Sequence, residues 1–184
     1  MPRPKPIRLE GHRVTLSRFD KRDKDEFIRL SRTSRSPFVT LPTTPERFTR
    51  FLARGNAPDV VRLAVRRNED GIVIGSIEAS QIARGILQSA YLGYQIGSLY
   101  QGKGYMSEAM RLMLDFAFGG LKLHRLEANI QPTNAASIRL VKRMGFRNEG
   151  TARRYLKIRG AWQDHQRWAI LAEEWRIKRR RGSR

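Results

Sequence analysis

The 184-residue sequence contains no cysteine. Disulfides, thiolate metal sites and a cysteine nucleophile are thereby excluded. Histidine is scarce as well. His12, His124 and His165 lie far apart and follow no ligand spacing, so no metal centre is expected. No apolar run approaches the ~18 residues needed to cross a membrane. Residues 1–10 are basic and proline-spaced with no apolar stretch behind them, which argues against a secretory signal. A cytoplasmic protein that does not associate with membranes is expected. Acidic residues are few, 17 against 37 basic, for a net charge of +20. Arginine makes up 29 of the 37. The excess is uneven: residues 61–120 are nearly neutral, with 6 basic and 5 acidic side chains. Residues 121–184 hold 17 and 5, and residues 176–184 alone hold six basic side chains and no acid. Such flanks attract polyanions such as RNA by counterion release. No RNA-binding sequence signature accompanies them.

What is present is an ordinary globular composition, 40% hydrophobic, long enough for one core. No repeat, low-complexity block or linker divides it. One domain is expected over residues 1–175, followed by a basic tail, 176–184. Alternation predicts strands over 13–18, 60–65, 72–82, 89–96, 123–130 and 161–171. Helices are predicted over 20–32, 45–54, 105–118 and 134–144. Asp70-Gly71 signals a hairpin. Thr43-Thr-Pro-Glu46 has the capping-box pattern. Strands come first and then alternate with helices, which predicts a mixed α/β sandwich with a partly antiparallel sheet.

Two segments carry chemistry. In Gln101-Gly-Lys-Gly104-Tyr-Met106 a strand has ended, glycines turn the chain and a helix begins. Glycines let backbone approach a ligand, and the helix start aims unpaired N–H groups at an anion. A pyrophosphate suits that geometry, with Lys103 as a cation at the mouth; a plain tight turn would read the same. The segment lacks the lysine-serine/threonine of a Walker loop, and Ser107 stands where a dinucleotide fingerprint needs glycine. Farther on, Asn134 suits a helix cap, and Ser137 lies one turn later on the same face. Capping alone also explains that pair.

Together these motifs resemble the GNAT acyltransferase superfamily. Gln101-Gly-Lys-Gly104-Tyr-Met106 is similar to its pyrophosphate motif, except that Met106 stands where glycine or alanine is usual. Asn134, Ser137, Gly145 and Phe146 resemble its second element. Tyr91-Leu-Gly-Tyr94, residues 123–129, Gly150-Thr-Ala-Arg-Arg-Tyr-Leu and Gly160-Ala-Trp-Gln-Asp-His165 look closest to the RimJ/RimL-like branch, which acetylates ribosomal-protein alanine N-termini.

The resemblance implies a GNAT fold: a mostly antiparallel sheet splayed between two central parallel strands, with helices on both faces. It implies acetyl-CoA as cosubstrate, held in the gap between the strand ending near Ile96 and the strand over 124–130. Pantetheine would pair with backbone near Gln95, Ile96 and Gly97, and the Ile96 N–H would face the oxyanion. Pyrophosphate would sit on the N–H groups of Gly102, Lys103, Gly104 and Met106, with Gln101 and Tyr105 beside them. Ser137 would supply or relay the proton, with Asn134 orienting the thiol. Glu78, Asp164 and His165 remain alternatives for the base, because Leu156 occupies the position where RimL-like relatives carry glutamate. The implied acceptor is the N-terminal amine of a small-subunit ribosomal protein, with possible ribosome or RNA contact through the basic flanks and a monomer or weak dimer as the assembly. A small-molecule amine, or an idle enzyme used as a ribosome-binding factor, are the competing readings.

Overall fold

A computed structural model describes residues 6–34, 37–38 and 41–182. The chain opens with β1 (Arg8–Glu10) and β2 (Val14–Arg18), then α1 (Lys24–Thr33) and α2 (Pro45–Gly55). Next come β3 (Val61–Arg67), β4 (Val73–Ala83), β5 (Ser89–Ile96) and α3 (Tyr105–Asp115). The last elements are β6 (Arg125–Ile130), α4 (Ala135–Met144), β7 (Arg147–Ile158), β8 (Ala161–Leu171) and α5 (Ala172–Gly182). The eight strands form one sheet in the order β1-β2-β3-β4-β5-β6-β8-β7. Every neighbouring pair is antiparallel except β5 and β6. The mixed fold expected from the sequence is therefore present.

Local chemistry sets the helix ends. Thr44 accepts the Arg47 N–H and Pro45 fills the first position of α2, so the cap sits one residue later than the Thr43 box predicts. Asn134 caps α4 by accepting the Ser137 N–H, and Gly145 closes it at φ +96°. The helix predicted over 105–118 keeps α geometry only to Asp115. It widens into a π turn over Phe116–Gly120, where Gly119 and Gly120 loosen the coil.

The sheet is covered on both faces. On one, Leu126, Ala128 and Ile130 of β6 meet Met110, Met113 and Leu114 of α3, Val141 of α4 and Trp175 of α5 in the main core. On the other, Phe19, Phe27 and Phe48 form a smaller core against Ala64 and Val73, with Phe51 packed edge-on to Phe19. Each fully buried aromatic contributes about 1.5–3 kcal/mol relative to exposure. That second core fixes α1 and α2 over β3 and β4. It leaves the same face of β5, β6, β8 and β7 lined by polar side chains.

Three elements escape the sequence reading. β1 is only three residues long. β7 is an almost wholly exposed edge strand whose period is broken by shifts around Gly150 (φ +109°) and Arg154 (φ +47°). α5 continues through the basic stretch from Arg176 to Gly182, where a tail is expected. It is anchored by Trp175, which is buried and donates its Nε1–H to Asp115 at 2.8 Å.

Candidate functional site

β5 and β6 pair over only three positions, Ser89 with Arg125, Ala90 with Leu126 and Tyr91 with Glu127. Beyond Tyr91 the strands part, and β5 runs on to Ile96 held by β4 alone. The Gly97 N–H donates to Ile74 O at 2.8 Å, on the β4 side. Antiparallel alternation then puts the peptide groups of Gln95 on β4 as well, and leaves those of Ile96 and Tyr94 facing the gap. Of the three residues expected to pair with pantetheine, Ile96 alone has its N–H turned that way.

Ser98–Tyr100 make one 3-10 turn, after which Gln101, Gly102, Lys103 and Gly104 lie exposed at the start of α3. Gly102 (φ +74°) and Gly104 (φ +86°) both adopt left-handed backbone. Nothing lies within 4 Å of a Cβ placed at Gly102, and only Arg13 Nη1 approaches one at Gly104. The loop is thus an open cradle over the unpaired first-turn N–H groups of α3, and its residues fit a diphosphate. Met106 is 8% exposed, its side chain in the main core, so the loop uses its backbone alone. Tyr105 is buried beneath the Arg13 guanidinium, 4.2 Å from its ring centre.

Two further cations gather here that the sequence reading missed. Arg13 donates to Lys103 O at 2.7 Å, and Arg143 donates to Ser107 Oγ at 3.2 Å. Arg13 precedes β2 and Arg143 ends α4, so no local motif could associate them with residues 101–106. Glu108 fixes the assembly by accepting the Arg13 N–H at 2.8 Å.

Asn134 and Ser137 lie together at the start of α4, with the Asn134 side chain spent on the cap. The Tyr94 hydroxyl reaches across to donate to Ser137 O at 3.5 Å. Burial pushes that phenol up to about 12, only partly offset by the bond to Ser137. Tyr94 therefore stays a proton donor throughout the neutral range.

The proposed bases are elsewhere. Glu78 Oε2 accepts from Arg62 Nε at 2.5 Å, and Arg62 in turn lies 4.0 Å over the Phe51 ring. This places Glu78 on the α1/α2 face of β4, opposite Gly93. Asp164 is exposed and accepts the Arg154 N–H at 2.8 Å, which caps the β7 bulge. His165 is buried, its Nδ1 2.9 Å from Gln163 O. His165 alternates with Gln166 and so lies on the face opposite α4 and Ser137.

On the polar face, Arg167 joins Glu127 at 3.2 Å, and Arg125 bridges Glu127 and Glu149. The Tyr91 and Tyr155 hydroxyls are 3.4 Å apart, and the bond from Tyr155 raises the Tyr91 phenol to about 12.

The family described as an acetyltransferase (GNAT) domain matches residues 13–147. The chain belongs to the GNAT acetyltransferase family. Its cosubstrate is acetyl-CoA. It is 38% identical over 149 residues to the Bacillus subtilis protein named "Probable N-acetyltransferase YjcK", covering 81% of this chain and 82% of that one. It is 40% identical over 103 residues to the Escherichia coli [ribosomal protein uS5]-alanine N-acetyltransferase, covering 56% of this chain and 53% of that enzyme. This acetyltransferase thus spans only about half of that relative. Among solved structures, Mycobacterium smegmatis RimJ in complex with CoA-disulfide superposes with a TM-score of 0.82 at 28% identity, over 92% of this chain and 87% of RimJ.

Proposed function

We propose that this acetyltransferase acetylates the N-terminal α-amine of an alanine-started small-subunit ribosomal protein. The observation that carries the amine class is the neutralised acceptor face. Glu78 is paired with Arg62, Glu127 with Arg125 and Arg167, and Asp23 with Arg66. Of the other carboxylates near α1, Asp20 is held low chiefly by its bond to Arg22, Asp25 lies 3.9 Å from Lys24, and Glu26 is flanked along the helix by Lys24 and Arg29. Such a face offers a polycation no excess negative charge, whereas a single peptide α-amine needs none. The likeness to the alanine acetyltransferase supports the ribosomal acceptor.

The chemistry divides as follows. Bound acetyl-CoA supplies a thioester carbonyl to a neutral amine. The Ile96 N–H faces the gap as the donor for developing oxyanion charge. Ser137 and the Tyr94 hydroxyl stand at α4 as proton donors for a leaving thiolate. Glu78 is a carboxylate on the acceptor face with an oxygen that accepts nothing from arginine among the described residues. Its demand as a base is modest, because an α-amine titrates near ~7.7–8.0 and a lysine near ~10.4. Log kcat/KM should therefore climb one unit per pH unit below about 7.7 and flatten above it. Glu78→Gln should lose about tenfold at pH 7 and recover toward the wild-type rate at pH 9. A profile still climbing at pH 9.5 would mark a lysine acceptor instead.

Purified protein incubated with acetyl-CoA and salt-washed small ribosomal subunits should add one acetyl group to one alanine-started protein, read by intact mass. CoA release with no protein modified would overturn the ribosomal acceptor.

Docking on that particle is supported by a basin of about 760 Å³ between α3, α4, β8 and α5. It is lined by Arg111, Arg143, Arg147, Lys178 and Arg179, with Glu174 as its one acid. Glu174 is paired with Arg147 at 2.9 Å and Arg179 with Asp115 at 3.2 Å, while no carboxylate pairs with Arg111 or Lys178 among the described residues. Reversing both, Arg111→Glu with Lys178→Glu, should weaken subunit association. It should also flatten log K against log salt by about 2, at ~0.9 per lost phosphate contact. Equal cosedimentation of wild type and variant at all salts would sink this contact.

A further inference from the structure

We infer that Asn129 binds the acceptor amine, over Gly93 where β5 and β6 separate. The inference rests on the reading of this face as the acceptor side. Asn129 lies on β6, two residues past the last β5–β6 pair. Leu126, Ala128 and Ile130 point into the main core, so Asn129 shares the opposite face with Arg125 and Glu127. Its Oδ1 is buried and accepts no hydrogen bond among the described residues. A buried acceptor without a donor is costly, and a site that keeps one is matched to a donor that arrives from outside.

The surroundings identify that donor. Gly93 pairs with Glu78 on β4 and sits two residues beyond Tyr91, the last residue of β5 to pair with β6. The register thus sets Glu78, Gly93 and Asn129 in one row across three strands, with Gly93 in the middle. A Cβ at Gly93 would lie 3.3 Å from Glu78 Oε1, so the missing side chain is what opens the row. Glu78 Oε2 is taken by Arg62, and Oε1 accepts nothing among the described residues. Two acceptor oxygens, Glu78 Oε1 and Asn129 Oδ1, therefore stand in this row without a donor among the described residues. β4 and β6 stand about 10 Å apart where the sheet is paired and farther apart where β5 and β6 part, so a nitrogen can enter between the two side chains with each bond near ~2.9 Å. A ligand with two N–H bonds on one atom, an amine, satisfies both oxygens. An anion or a carbonyl satisfies neither. This row borders the same β5–β6 gap that the Ile96 N–H faces, so an amine held there enters on the side of the reacting carbonyl.

The test compares Asn129→Leu and Asn129→Asp with the wild type, using an alanine-started hexapeptide and spermidine as probes. Leucine removes the oxygen at nearly the same volume, and aspartate keeps acceptors only. Asn129→Leu should raise the KM of whichever amine the wild type acetylates by at least tenfold. It should leave the CoA dissociation constant within twofold and raise the thermal midpoint. Asn129→Asp should recover most of the amine KM. An unchanged amine KM in Asn129→Leu overturns the inference, and so does a loss of CoA affinity, which would turn Asn129 toward pantetheine. Acetylation of spermidine alone, with the same dependence on Asn129, would overturn the alanine acceptor and leave the amine site standing. A wild type that acetylates neither probe overturns both.

Discussion

Gly104→Trp should raise the dissociation constant for CoA by about 100- to 1000-fold while the protein stays folded. Gly104 precedes α3 at φ +86°, a conformation that costs an L side chain roughly 1–2 kcal/mol. The loop is exposed, so an unliganded variant relaxes away from that conformation. Binding must then restore it or forgo an N–H bond to phosphate, a charge-assisted bond of about 1.5–3 kcal/mol. Together the two effects amount to about 3–4 kcal/mol, and each 1.4 kcal/mol is tenfold. Bulk adds to this, since the indole would project where the cradle is otherwise open and Arg13 is the nearest neighbour. Gly71 is the control. It has φ +75° and no atom within 4 Å of a placed Cβ, but it turns the β3–β4 hairpin. Gly71→Trp should carry the same backbone strain and bind CoA normally. Calorimetric titration of both variants, with circular dichroism to confirm folding, separates loss of the cradle from strain alone. Equal CoA affinity in wild type and Gly104→Trp would remove the pyrophosphate assignment.

The contrast between those two glycines shows where sequence carries structure. Asp70-Gly71 and Gly102-Lys-Gly104 are local signals, and each fixes a turn by the backbone freedom of one residue. Asn134 with Gly145 likewise brackets α4 from the two ends. These are contacts between residues a few positions apart, so spacing reveals them. Non-local contacts leave no such trace. Arg13 and Lys103 meet across 90 positions, and nothing near either residue announces it. Asn129 reads as one more polar position in an alternating strand. Its orphan oxygen shows only in three dimensions, past the point where β5 and β6 stop pairing. Asp164 shows the converse. It lies in a stretch that resembles the RimJ/RimL-like branch and is a candidate base there, yet a bulge in the facing strand claims its carboxylate. β7 stayed hidden for a related reason: an edge strand exposed along its length need not alternate.

α5 is the costliest omission, and one substitution measures it. Arg176, Lys178, Arg179 and Arg180 are exposed, which gives the sequence the composition of a solvated tail. What docks it is a single aromatic. Trp175 is 4% exposed in the main core, and its indole N–H reaches Asp115 at the end of α3. Arg179 meets the same carboxylate at 3.2 Å, and Glu174 caps the helix by accepting the Leu171 N–H at 3.0 Å. Trp175→Ala should therefore cost about 3–5 kcal/mol, the usual range for removing a buried tryptophan. For a chain of this size each kcal/mol moves the melting temperature by about 2–4 °C, so a fall of roughly 6–20 °C is expected. Trp175→Phe keeps most of the apolar burial and loses only the N–H bond to a carboxylate that Arg179 still meets. It should cost about 1–2 kcal/mol. Ile177→Ala, at a side chain 54% exposed, should change stability by no more than about 0.5 kcal/mol. The phosphate cradle sits at the opposite end of α3, 11 residues and about 16 Å away along the axis. CoA affinity measured below the lowered melting temperature should consequently stay within a few-fold of wild type. A Trp175→Ala protein that melts like wild type would mean that the helix does not dock in solution, and the basic basin between α3, α4, β8 and α5 would then lose its fourth wall.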